Sequence, residues 1–123
     1  MKKSLNKIYV IVPSAGIGTR FESEVPKQYA EINGVSILEK TINHFLNLEI
    51  FEKIIIPIST EDNFFEKLSV SKHKKIIKVN GGSTRSESVM SALEYIKENS
   101  LVVVHDAVTV SYTHLTLPTI LRV

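Results

Sequence analysis

The stretch IYVIVPSAGIGTR, residues 8–20, joins a continuous apolar run to a segment of small residues. Apolar and mostly β-branched residues at the consecutive positions 8–12 indicate a strand that is covered on both faces. The small residues after it let the backbone bend sharply and bring its N–H groups close to a ligand. The stretch therefore predicts the first strand of an α/β domain, followed by a ligand-binding loop.

Two cationic side chains lie close to this loop. Arg20 stands at its end, and Lys27 follows within PKQ, residues 26–28. A backbone rich in N–H donors, with a guanidinium and an ammonium group beside it, suits a polyphosphate. A tight strand-to-helix turn would explain the glycines alone. The two cations together favour a phosphate-binding loop over that alternative.

Two other glycine motifs do not fit this loop. The dinucleotide-binding pattern GxGxxG requires a third glycine where this chain has Phe21, and it requires a helix to begin at once. The Walker pattern GxxxxGK[ST] is absent, because no Gly-Lys pair follows a glycine loop in the chain. A nucleotidyltransferase-type loop, in which a long segment wraps a nucleoside triphosphate, remains.

Apolar strand patterns alternate with helical patterns along the rest of the chain. The predicted strands are residues 8–12, 53–59, 75–79 and 101–104. Pro57 predicts that its strand lies at a sheet edge or that the strand ends there. Alternating strands and helices imply right-handed crossovers and a mostly parallel sheet with helices on its faces.

The predicted helices have recognisable beginnings. One begins after Ser36, a second covers residues 61–68 with acidic residues in its first turn, and a third follows a capping box of Thr84 and Glu87. Asn33-Gly34 predicts a tight turn before the first of these helices. In such sheets ligands bind beyond the carboxyl ends of the strands. We therefore expect the glycine loop, Gly81-Gly82 and Asp106 to converge there.

Five motifs in a fixed order resemble the 2-C-methyl-D-erythritol 4-phosphate cytidylyltransferase family. They are VPSAGIGTR (12–20), PKQY (26–29), ILE (37–39), GG with Arg85 and Ser88-Val89, and VHDA (104–107). The resemblance covers residues 8–107 and implies a Rossmann-like nucleotidyltransferase fold that acts in isoprenoid biosynthesis. Ribitol-5-phosphate cytidylyltransferase is the alternative, although that relative usually has a second glycine where this chain has Ser14-Ala15.

The resemblance implies transfer of CMP from CTP to a sugar-alcohol phosphate, with release of pyrophosphate. Arg20 and Lys27 are then the catalytic residues, which meet the negative charge that grows on the phosphates. Asp106 is the implied ligand of Mg²⁺, the expected cofactor. Without the resemblance, Asp106 would serve equally well as the N-cap of a following helix. His105 is expected to be structural, because a phosphate nucleophile needs no base.

The resemblance also implies a set of CTP-binding residues. Gly82 and Ser88 would border the cytosine and ribose, although a helix start that needs a close glycine and a cap would also explain them. The full expected set is Pro13, Ser14, Ala15, Gly16, Ile17, Gly18, Thr19, Gly82, Arg85, Ser88 and Ala107.

The last residues depart from the family pattern. Where the family usually continues with Arg-Pro, this chain has Val108 and Thr109, and no acidic residue follows. We expect residues 1–107 to be the N-terminal CTP-binding part of a nucleotidyltransferase domain and residues 108–123 to be a non-native tail. A genuine terminal strand is the alternative. On this hypothesis the chain is truncated and inactive, or an inactive nucleotide-binding fragment.

Composition restricts the remaining classes of function. The chain has 123 residues, a formal net charge of +2 and no cysteine, and it holds no apolar segment as long as a membrane span. We therefore expect a cytoplasmic protein that binds neither nucleic acid nor a membrane. The family resemblance implies CTP and a sugar-alcohol phosphate as its partners. The family resemblance implies a homodimer for the complete protein.

Overall fold

The computed structural model of the chain describes residues 7–15, 27–96, 100–106 and 119–122, with residues 27 and 119–122 described by their backbone alone. The strands and α-helices are, in chain order, β1 (Lys7–Ile11), β2 (Glu31–Ile32), β3 (Val35–Ser36), α1 (Ile37–Leu48), β4 (Lys53–Ile58), β5 (Ile76–Asn80), α2 (Arg85–Leu93), β6 (Ser100–Val104) and β7 (Thr119–Arg122). Short 3₁₀ helices cover Lys27–Tyr29, Phe65–Lys67 and Ser69–Lys72.

Five strands form one sheet in the order β5-β4-β1-β6-β7. The strands β5, β4, β1 and β6 are parallel, and β7 pairs with β6 in the antiparallel direction. All four predicted strands are present, with bounds within one residue of those expected. The predicted α/β class with a mostly parallel sheet is confirmed.

The central strand β1 contributes side chains to a hydrophobic cluster on each face of the sheet. Val10 belongs to the cluster that contains Leu38 of α1, and Ile11 belongs to the cluster that contains Ala92 of α2. Since successive side chains of a strand point to opposite faces, a strand covered on both sides must be apolar throughout. Full burial of such a side chain stabilises the fold by roughly 1.5–3 kcal/mol.

The hairpin of β2 and β3 turns at Asn33-Gly34, as predicted. Both residues have positive φ, 57° and 83°, which is the conformation that a two-residue turn of this kind requires. Ser36 then caps α1, because its Oγ accepts a hydrogen bond from the backbone N–H of Glu39 at 3.0 Å. The helix begins where the sequence predicts and buries Leu38, Ile42 and Phe45.

The prediction of a helix over residues 61–68 is wrong. Turns and the two 3₁₀ helices at Phe65–Lys67 and Ser69–Lys72 replace it. The Oδ1 atom of Asp62 accepts hydrogen bonds from the backbone N–H groups of Phe64 at 2.7 Å and Phe65 at 2.8 Å. Such local side-chain bonds compete with helix formation. The acidic residues that predicted a helix N-terminus thus include one that stabilises a turn.

Pro57 lies near the end of its strand and not at a sheet edge. The strand β4 runs between β5 and β1, and Pro57 is its second-last residue. The carbonyl of Pro57 accepts a hydrogen bond from the backbone N–H of Ser14 at 2.9 Å. This bond extends the parallel pairing of the two strands beyond the last residue of β1.

Residues 119–122 form the edge strand β7, in which residue 122 pairs with Leu101 and residue 119 with Val104. A strand here is compatible with the alternative of a genuine terminal strand. The division of the chain at residue 107 stays a prediction. Neither α-helix of the described ranges is both long enough and apolar enough to cross a membrane.

Candidate functional site

An open cavity of about 250 Å³ lies beyond the carboxyl ends of β1, β5 and β6. Its lining residues are Pro13, Ala15, Gly82, Ser83, Thr84, Arg85, Ser88 and Asp106. The first two follow β1, the next five follow β5, and Asp106 follows β6. The three strand ends therefore meet at one edge of the sheet, as the alternation of strands and helices predicts.

Gly81 allows the turn after β5 to approach the end of β1. A Cβ atom on Gly81 would lie 2.5 Å from the Cβ of Ala15 and 2.9 Å from the Oγ of Ser88, so any larger residue requires a shift. Next to it, the backbone N–H of Gly82 donates a hydrogen bond to the Oγ of Ser88 at 3.1 Å. Since Ser88 is only 1% exposed, this bond fixes the turn against α2.

The predicted capping box of Thr84 and Glu87 is confirmed. The Oγ1 of Thr84 accepts a hydrogen bond from the backbone N–H of Glu87 at 3.1 Å. In return, Oε1 of Glu87 accepts bonds from the backbone N–H of Ser83 at 2.8 Å and from its Oγ at 2.9 Å. The backbone bond from Ser83, followed by the bond from its hydroxyl, lowers the pKa of Glu87. The first turn of α2 therefore lies rigidly along the cavity.

Arg85 and Asp106 bring opposite charges to the cavity from two different strand ends. The Nε of Arg85 lies 2.8 Å from Oδ1 of Asp106, and the two side chains are 53% and 41% exposed. An exposed pair of this kind adds only about 0.2–1 kcal/mol to stability. Both charged groups thus remain accessible from the cavity.

His105 has structural contacts, as expected. Its backbone N–H donates to the carbonyl of Ile11 at 2.9 Å, and its ring packs edge-on against Phe45 with 5.3 Å between centroids. The Nδ1 atom lies 2.9 Å from the carbonyl oxygen of Asp106. These contacts extend the pairing of β1 and β6 toward the cavity.

Gln28 and Tyr29 have structural contacts that the sequence analysis missed. The Nε2 of Gln28 donates a hydrogen bond to the carbonyl of Ser14 at 2.8 Å, and the hydroxyl of Tyr29 donates to Oδ2 of Asp62. Burial, reinforced by the bond to Asp62, raises the pKa of Tyr29. A glutamine and a tyrosine directly after the expected catalytic lysine were the available signal, but nothing local in the sequence identifies their partners.

The structure brings together part of the expected site. Ser14 is buried near the cavity but does not line it, since its Oγ donates a hydrogen bond to the carbonyl of Val12 at 3.0 Å. Lys27 is described by its backbone alone. The expected site residues outside the described ranges are Gly16, Ile17, Gly18, Thr19, Arg20 and Ala107.

Asp106 is the expected metal ligand at the cavity. Over the described ranges, no three His, Asp or Glu side chains lie together as a metal-binding group. Magnesium typically takes one or two carboxylates and completes its shell with water and phosphate oxygens. A single half-exposed carboxylate beside an open cavity fits that pattern, provided that a phosphate ligand supplies other oxygens.

Comparison with known proteins gives consistent matches. The sequence matches the family described as "IspD: 2-C-methyl-D-erythritol 4-phosphate cytidylyltransferase" over residues 8–121. A protein named 2-C-methyl-D-erythritol 4-phosphate cytidylyltransferase in Shewanella piezotolerans is 44% identical over 115 residues, which are 94% of this chain and 50% of the relative. A protein of the same name in Wigglesworthia glossinidia brevipalpis is 47% identical over 102 residues, 83% of this chain and 44% of the relative.

A solved structure agrees with these sequence matches. The crystal structure of the Francisella tularensis 2-C-methyl-D-erythritol 4-phosphate cytidylyltransferase has a TM-score of 0.64 and 38% identity to this chain. The match covers 83% of this chain and 44% of that one. The chain spans about half the length of the curated relatives it matches.

Proposed function

The chain belongs to the IspD family, and on that premise we propose that it supplies the CTP-binding half of an enzyme that transfers CMP from CTP to 2-C-methyl-D-erythritol 4-phosphate. Pyrophosphate is the second product, and the reaction serves isoprenoid precursor synthesis. One observation carries the proposal: segments that follow three separate parallel strands line one cavity, where nucleotides bind in sheets of this kind.

The described lining suits a nucleotide by size and charge. Pro13, Ala15, Gly82 and Ser88 are small, so a base and a ribose can approach the backbone closely. Arg85 places a cation at the same cavity, and the N-terminal turn of α2 adds the positive end of a helix dipole. These features support CTP binding by the residues that the family resemblance implies.

The chemistry requires positioning and positive charge more than covalent help. A phosphate oxygen of the acceptor attacks the α-phosphorus of CTP in line, a new P–O bond forms, and the bond to pyrophosphate breaks. Arg20 suits two oxygens of a phosphate group through its planar fork, whereas Lys27 supplies a point charge. We propose that both cations face the oxygens on which negative charge grows.

Asp106 would hold Mg²⁺ together with phosphate oxygens of CTP. The bound ion would neutralise charge on the triphosphate and on the departing pyrophosphate. Arg85 now donates to one carboxylate oxygen of Asp106, so it also orients this side chain toward the cavity.

The names of the relatives favour methylerythritol phosphate over ribitol 5-phosphate as the acceptor. The family resemblance further supports a homodimer in the cytoplasm for the full-length enzyme. An inactive nucleotide-binding fragment is the remaining alternative. It predicts CTP binding without turnover even when a second half is supplied.

The test uses a fusion of residues 1–107 to the second half of the Shewanella piezotolerans relative, because that relative is about twice as long as the matched region. The fusion should release pyrophosphate from CTP in the presence of 2-C-methyl-D-erythritol 4-phosphate, and EDTA should abolish release. The isolated second half is the control and should be inactive. Release with ribitol 5-phosphate but none with methylerythritol phosphate would contradict the assignment, and no release with either would favour the fragment.

A further inference from the structure

We propose that Gln28 is a positioning residue: it ties the backbone segment that carries Lys27 to the end of β1. Because this inference concerns how the expected catalytic residue Lys27 is held, it rests on the proposed function. No catalytic contact is assigned to Gln28 itself.

The hydrogen bond on which this inference rests joins two residues that are far apart in sequence. Gln28 is 6% exposed, and its Nε2 donates to the carbonyl oxygen of Ser14 at 2.8 Å across a separation of 14 positions. Ser14 pairs with Ile58 just beyond the end of β1, and Lys27 directly precedes Gln28 in the sequence. The hydrogen bond therefore joins the end of β1 to the segment that holds the Lys27 backbone.

Ser14 is itself fixed to the sheet. Its backbone N–H donates to the carbonyl of Pro57 at 2.9 Å, and it forms an isolated parallel bridge with Ile58. Its Oγ donates to the carbonyl of Val12, and the residue is 4% exposed. Gln28 thus attaches the lysine-bearing segment to an extension of the central sheet and not to another loop.

The residues after Gln28 hold the segment from the opposite side. Tyr29 donates its hydroxyl proton to Asp62, and its ring packs on Phe64 with 5.1 Å between centroids. The carbonyl of Ala30 accepts a hydrogen bond from the backbone N–H of Ile37 at 2.9 Å, at the start of α1. With these anchors in place, the bond of Gln28 decides how the backbone of Lys27 lies relative to β1.

A precise backbone position matters for a point charge. An ammonium group stabilises a transition state only where it meets the growing charge, and a misplacement of about 1 Å can lower the rate about 100-fold. A residue that only stabilised the fold would not lower the rate selectively.

A double-mutant cycle in the fusion separates positioning from stability. The variants are Gln28→Met, which keeps the chain length but removes the amide donor, Lys27→Ala, and the two together. We expect Gln28→Met to lower kcat about 10- to 100-fold, with a smaller change in the KM for CTP. In the Lys27→Ala background the same change should lower kcat by less than about threefold, since residues that act through one group are not additive.

Two further variants distinguish a positioning role of Gln28 from a purely structural one. Ser36→Ala removes another side-chain hydrogen bond, the part-buried one that caps α1, and should destabilise the protein without changing kcat. In Gln28→Glu the carboxyl group can donate to Ser14 only when protonated, so kcat relative to the parent should recover as pH falls.

An equal kcat loss from Gln28→Met in both backgrounds would overturn the inference, as would a folded Gln28→Met variant with parental kcat. Unfolding of both Gln28 variants while Ser36→Ala folds would also overturn it, in favour of a purely structural role. A parental kcat for Lys27→Ala would instead refute the catalytic role in the proposed function, and the inference with it. The first three outcomes leave the proposed function intact.

Discussion

Two segments at the same edge of the sheet are held in different ways. In the glycine-helix segment, residues 81–88, three side-chain hydrogen bonds to backbone N–H groups join residues no more than six positions apart. In the lysine segment, residues 27–29, side-chain bonds reach Ser14 and Asp62, which lie 14 and 33 positions away. The helix start in the first segment is capped by its own side chains, although Arg85 also reaches Asp106. The second segment is held by side-chain bonds to distant residues.

The difference shows which parts of a site can be predicted. A capping box is a local pattern, because a threonine and a glutamate three positions apart can satisfy each other's backbone in any α-helix. The partner of a buried glutamine can be any carbonyl that the fold brings near. The backbone of Lys27, the expected catalytic lysine, is placed by a contact of this second kind, so its position depends on tertiary structure.

The largest expected effect concerns the cations near the lysine segment. Lys27→Ala and Arg20→Ala should each lower kcat of the fusion by about 10²–10³, while the KM for CTP changes far less. The reason is that their charges face oxygens on which negative charge grows only in the transition state. Steady-state kinetics of the fusion give kcat and the KM for CTP of each variant, and Ser36→Ala is the control. A large rise in KM at constant kcat would show that the cations bind only the ground state.

An intermediate effect is expected in the glycine-helix segment. Gly81→Ala places a Cβ atom 2.5 Å from that of Ala15 and 2.9 Å from the Oγ of Ser88, and such overpacking costs roughly 1–3 kcal/mol of stability. Urea unfolding of the fusion gives this value. Ser86→Ala is the matched control on the exposed side of the same helix and should change stability by less than about 0.5 kcal/mol. Equal stability of the two variants would contradict the tight approach.

The smallest expected effects are pH dependences that differ between the segments. The pKa of Glu87 is lowered from 4.5 in the folded chain, so its contribution is present above that pH and is lost as the pH falls through the folded value. The pKa of Tyr29 is raised from 10.0. Its contribution is therefore present below pH 10.0 and decreases as the pH rises further.

Urea unfolding at acidic and alkaline pH tests both contributions. Glu87→Gln should flatten the dependence of stability on pH only at the acidic end, and Tyr29→Phe only at the alkaline end. Each variant is the control for the other. A change at the wrong end, or the same slopes as in the parent, would show that Glu87 and Tyr29 do not carry the two pH dependences.

The α/β class and the four parallel strands could be predicted from the sequence, whereas the order of the strands in the sheet could not. The strands around Val10, Ile55 and Val102 were recognisable because a parallel strand buried on both faces is apolar at consecutive positions. The helix predicted over residues 61–68 failed because Asp62 satisfies two backbone N–H groups in a turn, and a short helical pattern cannot show that competition.

The site could be predicted only in part. The sequence indicated that Gly82 and Asp106 would meet, because each follows a strand end of a parallel sheet. It did not indicate that Arg85 pairs with Asp106, that Ser14 turns its hydroxyl toward its own strand, or that Gln28 donates to the carbonyl of Ser14. Each of these depends on a distance that the sequence does not contain.

The sequence by itself predicted the four parallel strands, the starts of both α-helices and the family to which the chain belongs. These features depend on residues close together in the chain, where the local backbone geometry determines which groups can form hydrogen bonds with each other. The tertiary structure alone decided which carbonyl group accepts the hydrogen bond of Gln28. It also decided that Arg85 pairs with the carboxylate of Asp106 and that Tyr29 donates to the carboxylate of Asp62. Such partners come together only when the sheet and the two helix layers pack, because packing sets the distances between segments that the chain keeps far apart.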